Sequence, residues 1–174
     1  REVVLTFDDG PVPRHTGSVL ETLASECTKA TFFMVGQMAN SYPAMVRRVH
    51  DEGHTIANHS QTHPFTFSRM SVPQAAAQIE GGFATLRAAL GDPDAVAPFF
   101  RIPGLLRQDA VEQYLAAHGV MDIASKRPMQ TDTIFRIASM SKPVAAVAIL
   151  MLVSVRPGSR SVSSGKSRRL GVPR

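Results

Sequence analysis

The 174-residue chain has no tryptophan, two tyrosines and a single cysteine. With Cys27 alone, an intramolecular disulfide is excluded, and the lone thiol neither requires nor excludes an oxidising compartment. No apolar run reaches the about 18 residues that a membrane-spanning helix needs. The best approach to one, 142–153, has no charge after Lys142 but is far too short, so no transmembrane segment is expected. Acid is scarce at one end. Residues 125–174 hold ten Lys/Arg against one Asp/Glu, net +9, whereas 1–124 hold nine against thirteen, net −4. The overall charge of +5 therefore belongs to the last third and says nothing about the partners of the rest. No aromatic interleaves the basic residues after Ser154, which argues against a stacking surface for nucleic acid, and no specific nucleic-acid partner is expected. The chain opens on Arg1 rather than Met, with no charged and apolar leader, so a fragment or processed form without a visible signal peptide is expected.

What is present begins with Thr6-Phe7-Asp8-Asp9-Gly10-Pro11. Two adjacent carboxylates follow the apolar Val3, Val4 and Leu5 and are cut off by Gly-Pro, which places them where a buried strand ends in a sharp turn. An α/β fold carries its chemistry at that kind of place. Some fifty positions later comes His59-Ser60-Gln61-Thr62-His63, two imidazoles four apart that face the same way on a helical turn or tight loop. One acid and two histidines make a three-ligand set with positions left over for water, the pattern of a catalytic rather than a structural metal. Each piece alone has a plainer reading, a turn for the first and a surface or core pair for the second. Phe99-Phe100-Arg101-Ile102-Pro103-Gly104 adds a third strand end, delivering a cation that either pairs with the other carboxylate or makes a surface ion pair.

Strand and helix patterns alternate along 1–124. Strands are expected at 3–7, 30–35, 55–58, 97–102 and 120–124, and helices at 16–26, 44–52, from Ser71 to Gly91, and at 108–118. The third helix carries Ile79, Phe83, Leu86 and Leu90 on one face, while Gly81-Gly82 weakens it. Such alternation implies a parallel sheet with right-handed crossovers, so the fold class is α/β. His54, at the far end of the strand that delivers His59, reads as a hydrogen-bonding residue rather than a fourth ligand, and His15 and His50 read as surface residues.

The motifs at 6–11, 59–63 and 101–104 resemble the first three motifs of the polysaccharide deacetylases, the NodB-like carbohydrate esterases, in order and spacing. The flanking 30–36 and 53–59 are similar to that family too, and the likeness covers about 1–121. It implies a distorted (β/α) barrel, a divalent metal, usually zinc, and removal of N-acetyl groups from N-acetylhexosamine polymers or oligomers. It further implies that Asp9, His59 and His63 are the metal ligands, Asp8 the general base, Arg101 its orienting partner and the Gly104 backbone amide an oxyanion donor. Family resemblance places such a protein outside the cytoplasm, in the extracellular space or periplasm. An aromatic residue commonly stands where this chain has Gly104. The family's later Asp-Trp and His motifs have no counterpart, since there is no tryptophan and no histidine follows His118.

A barrel of this type runs to about 250 residues, so an incomplete one with open edges, prone to self-association, is expected over 1–124. From Pro128 to Pro143 the chain instead resembles the nucleophile segment of serine β-lactamase and penicillin-binding-protein-like hydrolases, over about 128–153. That likeness would make Ser139 a nucleophile and Lys142 its activating neighbour, although the tyrosine and Lys-Thr-Gly motifs of those enzymes are missing. The expected organisation is a truncated deacetylase-like domain at 1–124, a helical serine-hydrolase-like fragment at 125–153 and a disordered basic tail at 154–174.

Overall fold

The structure is a computed structural model that describes residues 4–105, 108–122 and 134–137. Six strands form one sheet: β1 (Val4–Asp8), β2 (Ala30–Met34), β3 (Thr55–Asn58), β4 (Val96–Phe100), β5 (Met121–Asp122) and β6 (Ile134–Ile137). Their order is β5-β4-β3-β2-β1-β6, and every neighbouring pair is parallel. Five helices connect or flank them: α1 (Pro13–Ser25), α2 (Gly36–Ser41), α3 (Pro43–Asp51), α4 (Val72–Leu90) and α5 (Asp109–Ala117). This is the α/β architecture that the alternation of patterns implies.

The central strands are covered on both faces, which is why they read as continuous apolar runs. Leu5 to Asp8 are all buried in β1, as is the whole of β2. Pro43 opens α3 and Val46 and Val49 turn inward from it, both fully buried. On α4, Ser71 and Gln74 form a capping box and Gly91 closes the helix in the left-handed conformation, φ 74°. Ile79, Phe83 and Leu86 are buried from its inner face. Three such side chains contribute about 1.5–3 kcal/mol each. That outweighs the about 1 kcal/mol each of Gly81 and Gly82, so the glycine pair does not break the helix.

Element ends differ from the expected ones by a few residues. Pro13 starts α1 ahead of the apolar face, because a proline in the first turn is already fixed near helical φ. The short α2 has no apolar stripe to announce it. Within 125–153 the described residues are those of β6, which pair with β1 from Val4↔Ile134 to Phe7↔Ile137. Ser139, Lys142, the helix expected at 142–153 and the basic tail lie outside the described residues. Among the described residues no helix is long and apolar enough to cross a membrane.

Candidate metal centre and active site

All strands of a parallel sheet end on one rim, so the segments following β1, β3 and β4 are brought together there. Three backbone hydrogen bonds stitch that rim: Val35 N–H to Gly10 O (3.0 Å), His59 N–H to Met34 O (2.9 Å) and Arg101 N–H to Asn58 O (3.1 Å). The motifs at 8–11, 59–63 and 101–104 are thereby set side by side.

Asp9, His59 and His63 converge. Asp9 Oδ1 lies 3.4 Å from His59 Nε2 and 3.3 Å from His63 Nε2, and one ligand atom from each of the three falls within 4.8 Å of the others. Ligands about 2.1 Å from a central ion at tetrahedral angles stand about 3.4 Å apart, so the donor set fits a divalent cation of zinc's size. His59 Nδ1 lies 2.7 Å from the Arg101 carbonyl. A carbonyl can only accept, so this partner assigns the proton to Nδ1 and leaves the Nε2 lone pair facing Asp9, the tautomer a metal ligand requires. Burial first, and then the neighbouring His59 ring, hold the His63 pKa below the ordinary imidazole value, which favours the neutral ring, the form that can donate a lone pair.

The loop is held under strain. Among the described residues four non-glycines have positive φ, and three of them are Asp9 (75°), Ser60 (75°) and His63 (51°). Such conformations persist only where the surroundings impose them. Here the Ser60 hydroxyl accepts the His63 amide at 3.0 Å. The Asn58 carboxamide oxygen accepts the Ser60 amide at 2.9 Å. The first amides of α2, on Gly36 and Gln37, donate to the carbonyls of Ser60 and Gln61. From α4, the Gln78 carbonyl accepts the Gln61 amide and its side-chain oxygen accepts the Thr62 amide. Two helices therefore clamp the turn that carries both histidines.

Asp8 and Arg101 form a buried ion pair, Oδ1 to Nη1 at 2.6 Å, with side chains 1% and 2% exposed. The same nitrogen donates to Thr6 Oγ1 at 3.0 Å, and the guanidinium lies over the Phe33 ring, 4.0 Å from its centroid. Thr6 and Asp8 share a face of β1, being two apart, so one strand presents both acceptors to the cation. Arginine at the end of β4 is thus interior, and its surface-pair reading does not hold. Gly104, φ 72°, is exposed in the turn Pro103–Leu105, and a β-carbon there would meet nothing within 4 Å. The left-handed backbone suits glycine and disfavours the aromatic residue common at this place.

Two other histidines, His54 and His118, lie away from this site. His54 is 5% exposed and accepts the Ala30 amide through Nδ1 at 3.2 Å, the hydrogen-bonding role expected of it. His118 caps α5 just before β5, and residues that precede a strand lie on the rim opposite those that follow one. Thr6, Asn58, Ser60 and Gln78 were not singled out from the sequence. The only signal was their spacing from the acid pair and the histidines.

Comparison with known proteins adds independent findings. The chain matches the family model of polysaccharide deacetylase over residues 1–123, and a β-lactamase model over 96–156. The chitooligosaccharide deacetylase of Bradyrhizobium sp. (strain ANU 289) is 38% identical over 112 residues, which is 64% of this chain and 50% of the relative. The chitooligosaccharide deacetylase of Rhizobium leguminosarum bv. trifolii is 52% identical over 64 residues, 37% of this chain and 30% of the relative. The chain thus spans half or less of these curated relatives. Among solved structures, the family 4 carbohydrate esterase from Streptomyces lividans, in complex with acetate, is similar with a TM-score of 0.72 at 24% identity, covering 86% of this chain and 85% of that one. At that identity the likeness is one of fold. Residues 96–122, shared by the two family models, here form β4, α5 and β5 of the parallel sheet. Deacetylases of this kind are divalent-metal enzymes, and on a match over more than two thirds of its length the chain belongs to the polysaccharide deacetylase family.

Proposed function

We propose that this chain carries a metal-dependent hydrolase site that removes acetyl groups from N-acetylhexosamine units of a chitin- or peptidoglycan-type polymer or oligosaccharide. The observation that carries the reading is the convergence of Asp9, His59 and His63 beside a second carboxylate, Asp8, already locked to Arg101. Asp9 and the Nε2 atoms of His59 and His63 would hold the ion, zinc being the best match to an N,N,O donor set. Zinc bound there would supply Lewis acidity toward the amide carbonyl and a more acidic water. Asp8 takes the proton from the attacking water, with Arg101 fixing the carboxylate's direction. The Gly104 amide donates to the oxyanion.

Departure of the amine needs a proton donor. His118, the last histidine in the chain, hydrogen-bonds through Nδ1 to the Tyr114 carbonyl at the opposite rim and does not serve. The second reading is therefore a catalytically inactive hybrid fragment that retains metal or carbohydrate binding. Zinc titration by calorimetry on the wild type and on His59→Ala/His63→Ala tests the site. Equal and negligible binding in both would end the proposal. Acetate release from chitin oligomers, abolished by Asp8→Asn, separates an enzyme from a binder.

A serine-hydrolase role for Ser139 and Lys142 rests on the β-lactamase match over 96–156 alone. It requires labelling by a fluorescent penicillin that disappears in Ser139→Ala.

A further inference from the structure

Phe65 is 97% exposed, the most exposed large apolar side chain among the described residues, and it stands two positions beyond His63. Its ring meets the His63 ring edge-on, centroids 6.2 Å apart, and His63 in turn meets His59 edge-on at 4.8 Å. A scattered surface phenylalanine needs no explanation. This one is different because the backbone beneath it is pinned. The Phe67 amide donates to the Pro64 carbonyl at 3.1 Å, and Arg69 to Thr66 at 2.8 Å. Phe67 itself is fully buried, its ring 5.9 Å from that of Phe100. With residue 67 anchored in the core and residue 63 tied to Ser60, the intervening turn has little freedom, and it holds Phe65 out over the rim. The short helical turn Phe67–Arg69 packs beside Pro103–Leu105, where Gly104 offers no side chain to line the site.

We propose that Phe65 is a specificity-determining residue, the apolar platform against which a pyranose ring of an N-acetylhexosamine oligomer lies while its acetamide is held at Asp9, His59 and His63. The inference rests on the deacetylase reading above. One face of an equatorially substituted pyranose presents C–H groups that carry a slight positive charge, and these complement the negative face of an aromatic ring. Contact also removes from water a ring that the fold leaves exposed. Phe65 thus supplies, from the histidine side, the aromatic wall that a glycine at 104 does not.

The test uses the full chain loaded with zinc and an N-acetylglucosamine tetramer, with binding followed by calorimetry and acetate release by coupled assay. Phe65→Ala is expected to weaken oligomer binding about tenfold, raising KM and not lowering kcat, an order of magnitude set by aromatic stacking. Phe65→Tyr, which keeps the ring, should restore binding to within about twofold. Zinc affinity, measured separately, should not follow the oligomer affinity across the three proteins. Equal oligomer affinity in wild type and Phe65→Ala would overturn this inference alone. A wild type that binds zinc yet neither binds nor deacetylates the tetramer would overturn the deacetylase reading, and this inference with it.

Discussion

Gly82 and Asn58 meet where α4 crosses the end of β3: a side chain at 82 would run into the Asn58 carboxamide, which bonds the Ile79 carbonyl at 2.8 Å and the Ser60 amide at 2.9 Å. The helix can approach the histidine turn only because it has no β-carbon at that point. Gly82→Ala is therefore expected to cost about 1–3 kcal/mol through overpacking. It should also weaken zinc binding about tenfold or more, since Asn58 supports the loop that carries both imidazoles. At the adjacent Gly81 a β-carbon would make only ordinary contact, 3.4 Å from the Gln61 side chain. Gly81→Ala should accordingly stabilise by about 0.5–1 kcal/mol through helix preference. Urea unfolding midpoints check both, and destabilisation of equal size at 81 and 82 would show that close approach is not the reason for the glycine.

The Asp8–Arg101 pair should show strong coupling. Arg101→Met leaves a carboxylate that is 1% exposed without its cation, a loss of about 3–5 kcal/mol. Removing both charges, as in Asp8→Leu/Arg101→Met, should cost less than the single change, because no uncompensated charge is then left buried. Additive losses in the double-mutant cycle would refute this.

His54 sets a pH dependence of folding. Burial, then the positive charge of Lys29, lower its pKa from the ordinary 6.5, and Nδ1 must stay unprotonated to accept the Ala30 amide. The neutral form is thus favoured in the fold. Its stabilising contribution is complete above 6.5, declines as the pH falls below that value, and is gone below the depressed folded-state pKa. His54→Gln, which keeps an acceptor but cannot titrate there, should flatten the stability profile over that window. An unchanged slope in urea melts between about pH 7 and 5 would refute the assignment.

The outer edge of β1 is covered by β6, with four residues in parallel register. Successive N–H groups of a strand point to opposite sides, so one of two adjacent prolines must remove a ladder bond. Phe135→Pro/Arg136→Pro should lower the thermal midpoint and promote association through the uncovered edge. Light scattering and thermal melts identical to the wild type would argue that β6 contributes nothing to the sheet.

The convergence of Asp9, His59 and His63 was legible because a carboxylate pair cut off by Gly-Pro and two histidines four apart both require a strand end and a tight turn, features that local sequence displays. The inner face of α4 was legible from its spacing alone: Ile79, Phe83 and Leu86 are buried as expected, and Leu90 is partly buried against the same core. What local pattern could not display was the reason for Gly81-Gly82. Read along the helix, the pair is a weakness. Read across space, Gly82 is the clearance for Asn58, a partner 24 positions away. The same limit hid α2, whose six residues carry no apolar stripe but whose first two amides hold Ser60 and Gln61. It also hid the bond from His59 to the Arg101 carbonyl, 42 positions apart, which sets the tautomer.

Every side chain in the donor set and its carboxylate–guanidinium partner comes from β1 to β4 and the turns directly after them, between Asp8 and Arg101. These residues span a little more than half of the chain, and among the described residues α5, β5 and β6 add no member to the cluster of Asp9, His59 and His63. Replacing the chain beyond Arg101 with other sequence would leave Asp8, Asp9, His59, His63 and Arg101 all in place in the sequence.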